Sequence, residues 1–413
     1  MALKYKWTFR TKFRARALGW RGSKTAISHL KTSVSEIRKV SRSDPLAAGE
    51  GVVVLMERLW PAFQDIDTST GALGNAVNKT LYTLIPLPIA APADPKTRSK
   101  WLQRLCEAVQ EDGVEYLHPL EERWGEVAVY PELMNEYADR LRFMVRRNWS
   151  DETPGGYVRG TTICLSCLLE VGRYSDLLEL LGHARPTFWS YRRFGAEALL
   201  RQGLHDAALA YAEDSRDPSL ARYDDPLIDR FCEDLLINIG REEDAYQRFG
   251  LKTGSGATYL SIYNATLRRY PSRDKRKVLL DLIAARGQSG KWFAAAKNGG
   301  FLDIALECAA SRDAEPATLI RAARDFAATE PRFATQVSLL AMRGLLNGSG
   351  YDPGPEDMLT ACDHFLAAAR ELGEQDWAME QVAVLAEAPC ASDRVNLKAA
   401  LSSFIDRQVP GST

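Results

Sequence analysis

The chain has 413 residues, of which 46% are hydrophobic and 26% charged, and a formal net charge of −1. That is the composition of an ordinary globular protein, long enough for two or three domain-sized units or for one long array with an appended N-terminal piece. No apolar run reaches the roughly 18 residues needed to cross a bilayer. The longest, Leu84 to Ala93, is interrupted by Pro86, Pro88 and Pro92.

The near-neutral total conceals an asymmetry. Residues 1–43 hold twelve Lys/Arg and a single acid, Glu36, a balance of +11 that leaves −12 over the remainder. A basic arm is thus joined to an acidic body, and either folds back onto it or reaches for another anion. Seven scattered cysteines, mostly among apolar residues of predicted helices, read as reduced thiols used as small core residues. They point to a soluble, intracellular protein, placed in the cytoplasm.

In the arm, Tyr5, Trp7, Phe9, Thr11 and Phe13 fall on odd positions, with Lys4, Lys6, Arg10, Lys12, Arg14 and Arg16 on even ones. Period two predicts an extended strand with one aromatic and one cationic face, although Tyr5, Phe9 and Phe13 also stand at helical spacing. Beyond the Gly19 to Ser23 break, Lys24 to Ser41 reads as an amphipathic helix. Its apolar stripe is Ile27, Leu30, Val34 and Ile37, and Lys24, Lys31 and Arg38 repeat at seven on another face. Asp44-Pro45 stops that helix or starts the next, which runs through Val52, Leu55, Met56 and Leu59. A polar turn from Asp65 to Gly74 precedes a helix ending near Ile85. Pro86 to Pro95, with four prolines and three alanines, predicts a linker and a boundary. A helix from Lys96 carries Trp101, Leu102, Leu105 and Val109, and further helices follow around Trp124 and from Pro131 to Trp149. The run Asp151 to Gly156 marks a second break. The expected organisation is therefore 1–43, 44–95, 96–156, a helical array over 157–407 and a tail, 408–413.

Within that array a pattern recurs: an apolar helix ends in Gly, a short polar turn follows, and a second apolar helix begins. Gly172, Gly203 and Gly240 close three such helices and Gly287 a looser fourth, at spacings of 31, 37 and 47 residues. Each fits a left-handed C-terminal cap that lets two helices turn back on one another. Leu200 to Ala208 around Gly203, and Leu236 to Ala245 around Gly240, resemble the Leu/Gly/Ala core of tetratricopeptide-type repeats. The Trp, Tyr and Pro positions of that repeat have no counterpart here. The resemblance implies an all-α fold, a right-handed α-solenoid of helical hairpins, with repeat-like pairs over about 158–310. Less regular helices are expected at Ala317–Ala328, Ala334–Asn347, Pro355–Leu372, Asp376–Ala388 and Asp393–Arg407. The N-terminal part resembles a different group, a family of uncharacterised bacterial proteins. The likeness lies in Phe13 to Arg21, Ser35 to Val40, Asp44-Pro45, Gly71 to Asn78 and Trp101 to Gly113. It implies a bacterial, cytosolic protein and no particular activity.

Motifs that carry chemistry are sparse. Cys164 and Cys167 form the single CxxC, without the second ligand pair a structural zinc needs. The five histidines stand in no HExxH or comparable pattern. Gly287 to Lys291 imitates part of a phosphate loop, but between helices. No metal, cofactor or catalytic residue is expected.

The unusual feature is the arm. Lys4, Lys6, Arg10, Lys12, Arg14, Arg16 and Arg21, extended by Lys24, Lys31, Arg38, Lys39 and Arg42, could neutralise phosphates, while Tyr5, Trp7, Phe9 and Phe13 stack on unpaired bases. Alternatively the aromatics pack on the helical body and leave the cations solvated or paired. An anionic membrane or protein surface is a third target, and a cleaved transit peptide a fourth reading. The function expected is that of a non-enzymatic scaffold or adaptor binding a protein partner, with nucleic-acid association through residues 1–43 as the alternative.

Overall fold

The structure is a computed structural model that describes residues 5–149, 158–183 and 188–408. It is all-α, with no strand among those residues. The chain divides into two compact units, residues 1–228 and 229–413.

The first unit begins with α1 (Ser23–Val40), α2 (Pro45–Phe63), α3 (Ala72–Leu84), a short α4 (Pro86–Ala90) and α5 (Pro95–Glu111). Asp44 and Asp94 each accept a hydrogen bond from the backbone N–H three residues on, with proline at the first helical position. So Asp44-Pro45 starts α2, whereas α1 has already ended at Val40. The expected linker is instead helix α4 and a packed turn, with Pro88, Ala91 and Ala93 buried. The reason is Arg98, 1% exposed, which donates to the carbonyls of Pro88, Ala91 and Val127. These bonds replace those an irregular segment would otherwise make with water.

The described parts of the segments 1–43, 44–95 and 96–156, read separately in the sequence, share one hydrophobic core. Its centre is α2, buried along most of its length despite two internal glycines. Glycine costs a helix about 1 kcal/mol relative to alanine, so two at i and i+2 require a reason. A Cβ on Gly49 would lie 2.7 Å from the Trp101 ring, and one on Gly51 would collide with the ring of Trp7. The glycines let both indoles lie directly on the helix. Gly51→Ala is expected to cost about 1–3 kcal/mol by overpacking. Gly74→Ala, where a Cβ meets nothing within 4 Å, should be neutral or stabilising by up to about 1 kcal/mol. Urea midpoints of the two variants check the contrast.

The first unit continues with α6 (His118–Glu122), α7 (Trp124–Ala128), α8 (Pro131–Asn148), α9 (Thr161–Glu170), α10 (Tyr174–Gly182), α11 (Trp189–Arg201) and α12 (His205–Asp214). Helix α13 (Ala221–Asn238) contains the division between the units. Asp151 to Gly156, the expected second break, lies outside the described residues, as does most of the tail.

Three of the four predicted glycine turns occur; the fourth, Gly287, ends its helix at φ 66° and ψ −158°, outside the left-handed helical region, so the expected cap is not formed there. Gly172, Gly203 and Gly240 have φ of 81°, 75° and 79°. In each, the following N–H reaches back to the fifth carbonyl before it, as in Arg173 to Leu168, Leu204 to Leu199 and Arg241 to Leu236. Gly300 and Gly373 make the same turn, which sequence reading overlooked.

The second unit carries α14 (Glu242–Ala245), a π-helical turn (Tyr246–Gly250), α15 (Leu251–Thr253), α16 (Tyr259–Arg269), α17 (Lys275–Arg286), α18 (Phe293–Asn298) and α19 (Leu302–Ala309). Packed hairpins of longer helices follow, α20 (Pro316–Phe326), α21 (Pro331–Leu346), α22 (Pro355–Leu372), α23 (Gln375–Glu387) and α24 (Val395–Gln408). These five match the expected C-terminal helices to within two or three residues at each end.

Candidate polyanion-binding face

The arm is folded onto the first unit and is not an extended strand. Thr8–Thr11 form one 3-10 turn, and Phe13 N–H donates to the Phe9 carbonyl at 3.2 Å, which brings both rings to the same side. Trp7, Phe9 and Phe13 are 4%, 1% and 0% exposed. Phe13 meets Phe9, His29 and Phe63 with ring centroids 5.6–6.4 Å apart. The assignment of these three aromatics to base stacking is corrected: their rings belong to the core, because burying an aromatic face gains more than leaving it in water. Only Tyr5, 42% exposed, still offers a ring.

Polar contacts set the register of the arm. Glu36 accepts from the Thr8 N–H at 2.9 Å and from its hydroxyl at 2.6 Å. One turn earlier on α1, Thr32 accepts from Lys12 Nζ at 3.2 Å. Thr8 beside Glu36, Lys12 beside Thr32 and Phe13 beside His29 make the arm run antiparallel along α1. The single acid of residues 1–43 is therefore consumed in holding the arm.

What remains outward is cationic. Lys6, Arg10, Arg14, Arg16, Arg21, Lys24, Lys31, Arg38, Lys39 and Arg42 are exposed, and Lys12 is half-buried. Lys4 lies outside the described residues. Among the described residues, Arg16 alone of these cations meets a carboxylate, Asp65, at 4.0 Å with both side chains largely exposed. Such a pair is worth little in water. The acids beneath are already matched, since Arg104 holds Glu57 at 2.6 Å and Glu50 at 2.7 Å.

At one edge of this face a cleft of about 590 Å³ is lined by Tyr5, Trp7, Arg10, Glu50, Lys100 and Trp101, among others. Sequence reading missed Lys100 and Trp101 here because they arrive from α5. It also passed over Trp20, 68% exposed between Gly19 and Arg21, although an exposed indole flanked by cations is legible in the string.

The remaining motifs are occupied by the fold. Cys164 and Cys167 are buried in α9, and burial pushes the Cys164 thiol up to about 12 and the Cys167 thiol well above its ordinary range. Neither presents a thiolate near neutral pH. Gly290 N–H, which a phosphate loop would aim at its ligand, donates to Asp313 at 3.2 Å. No group of three or more His, Cys, Asp or Glu placed to hold a metal occurs among the described residues, and no helix among them is long and apolar enough to cross a membrane.

No protein-family profile matches the chain, and no curated protein matches it. The expected kinship of the N-terminal part with uncharacterised bacterial proteins is thus joined by no family match. A solved structure described as a "circular tandem repeat protein with novel repeat topology and enhanced subunit contact surfaces" is similar at 14% identity. The match covers 92% of this chain and 87% of that one, with a TM-score of 0.17. At that score the likeness carries nothing further about this chain.

Proposed function

We propose that this protein is a non-enzymatic helical scaffold or adaptor, and that residues 5–42 dock nucleic acid by its phosphate backbone. The observation that supports this most directly is the division of labour in the arm. Trp7, Phe9 and Phe13 are spent on the core and the one acid on anchoring, so ten exposed cations stay presented on a folded support. A preformed cationic surface loses little side-chain and backbone freedom on binding compared with a free tail. With Trp7, Phe9 and Phe13 buried, the grip falls on phosphates and is insensitive to sequence.

The test is binding of duplex and single-stranded DNA and RNA across a salt series. Affinity should fall linearly on a log–log plot. Replacing Arg10, Arg14, Lys31 and Arg38 by Ala should flatten the slope by about 0.9 for each duplex phosphate that is no longer neutralised. These side chains form no ion pair among the described residues, so folding should be unaffected. Absence of any complex at low salt, for all four nucleic acids, would sink the reading.

A protein partner is the second reading, favoured by a different observation. Phe143 and Met144 lie 72% and 48% exposed on α8. Met144 borders a groove of about 520 Å³ whose walls include Cys106, Tyr137 and Leu141. Under this reading a stoichiometric protein co-purifies with the native chain and is lost on Phe143→Asp.

A further inference from the structure

The second unit contains a feature that neither reading uses. A cavity of about 280 Å³ opens where the π-helical turn and α15 face α13 and α16, and it is lined by Arg230, Glu233, Ser255, Arg268 and Arg269, among others. Glu233 is 1% exposed. Its carboxylate accepts from Tyr270 Oη at 2.7 Å and lies 3.1 Å from Arg269 and 3.2 Å from Arg230. Asp234, the next residue, takes another edge of Arg269 and lies 3.8 Å from Arg230.

A buried carboxylate is costly unless paired, and one arginine with the tyrosine hydroxyl would satisfy it. Here three guanidiniums border one small cavity. Two are pinned by α13 carboxylates that occupy only part of their five N–H donors. The third, Arg268, is exposed and makes no ion pair or hydrogen bond among the described residues. The lining therefore has donors to spare and one carboxylate that is already engaged.

The walls are built as rigidly as the floor. Arg286 donates to the carbonyls of Leu251, Lys252 and Gly254, each at 2.7 Å, fixing the rim. Gly250 closes the π turn against Tyr270, where a Cβ would lie 2.7 Å from the ring. Such single π turns recur at functional sites because the extra residue opens the helix wall.

We propose that this cavity binds a compact oxyanion, a phosphate or carboxylate group, through Arg268 and the unused donor edges of Arg230 and Arg269. Planar guanidinium forks pinned from behind match two oxygens of either group.

Thermal unfolding of the full chain in inorganic phosphate and in succinate, each against sodium chloride at equal ionic strength, tests it. At least one oxyanion should raise the midpoint, and which one does so identifies the group recognised. Phosphate also stabilises proteins by exclusion from their surface, so the deciding comparison is Arg268→Ala. That variant should keep its midpoint in chloride, since Arg268 supports nothing, and lose the oxyanion-specific rise. Calorimetric titration should show binding weakened by about tenfold or more. Ser255→Asp, an exposed change at the rim, should abolish the rise by repulsion. A chain with Arg10 and Arg14 replaced by Ala should retain it, which separates this site from the N-terminal face. The proposal is overturned if neither oxyanion acts beyond chloride, if the rise survives Arg268→Ala, or if it follows the N-terminal substitutions.

Discussion

Phe13→Ala is expected to destabilise the first unit by about 3–5 kcal/mol, the range for deleting a fully buried aromatic ring. The ring is 0% exposed and touches α1 through His29 and α2 through Phe63, so its removal leaves a cavity that two helices must share. Tyr5→Ala, at a ring 42% exposed, should cost less than about 1 kcal/mol. Urea unfolding followed by far-ultraviolet circular dichroism gives both values. The pair also tests the account of the arm. If Phe13→Ala left stability unchanged and abolished nucleic-acid binding, the aromatics would be a stacking platform and the arm would not be docked.

The second large effect concerns pH. Glu121, 4% exposed in α6, has its carboxyl pushed by burial from an ordinary 4.5 up to about 7. Between those values the folded chain keeps a proton that the unfolded chain releases, so stability falls as pH rises through the window. At about 1.4 kcal/mol per pH unit the loss is on the order of 3 kcal/mol. Two neighbours act in the same direction. Burial raises Asp112, and a hydrogen bond to Glu122 raises His118, whose stabilising charge is lost as pH climbs through its folded value. Glu122 opposes them at the acid end. Burial pushes its carboxyl upward, but His118 at 3.4 Å and Arg193 at 2.7 Å hold it below its ordinary range. Its contribution is lost as pH falls through that lowered value. Stability of the first unit should therefore peak in mildly acidic solution. Glu121→Gln should remove most of the decline, gaining about 3 kcal/mol at pH 8 and little at pH 4.5. Denaturant midpoints measured from pH 4 to 8 decide this. An unchanged slope in the variant would mean that Glu121 ionises freely and is not desolvated.

The helices were legible wherever local chemistry suffices to specify them. Asp44-Pro45, the stripe of Leu30 and Ile37, and the capping glycines 172, 203 and 240 each carry their signal within a few residues. Gly300 and Gly373 were missed because Lys297 to Phe301 and Arg370 to Glu374 lack the leucine-rich approach that marked the others. The π turn at Tyr246–Gly250 has no sequence signal at all, since one extra residue per turn is imposed by packing against Tyr270.

The sites were legible as composition but not as arrangement. Twelve cations in the first 43 residues could be counted, and alternation suggested that aromatics and cations lay on opposite faces. The separation is real, but it comes from a 3-10 turn and not from a strand, and the aromatic face points inward. Whether a ring stacks on a base or fills a core depends on whether another surface is shaped to receive it. For Trp7 that surface is the bare backbone at Gly51, 44 residues away. For Glu233 it is Arg269 and Tyr270, more than 30 residues on. The sequence by itself determined an all-helical chain, its main turns and a basic N-terminus, because each follows from interactions within about one helical turn. The tertiary structure alone decided which residues of the arm are buried, where Pro86 to Pro95 goes and that three arginines meet at one cavity. Each of these depends on surfaces that come together only when distant segments pack.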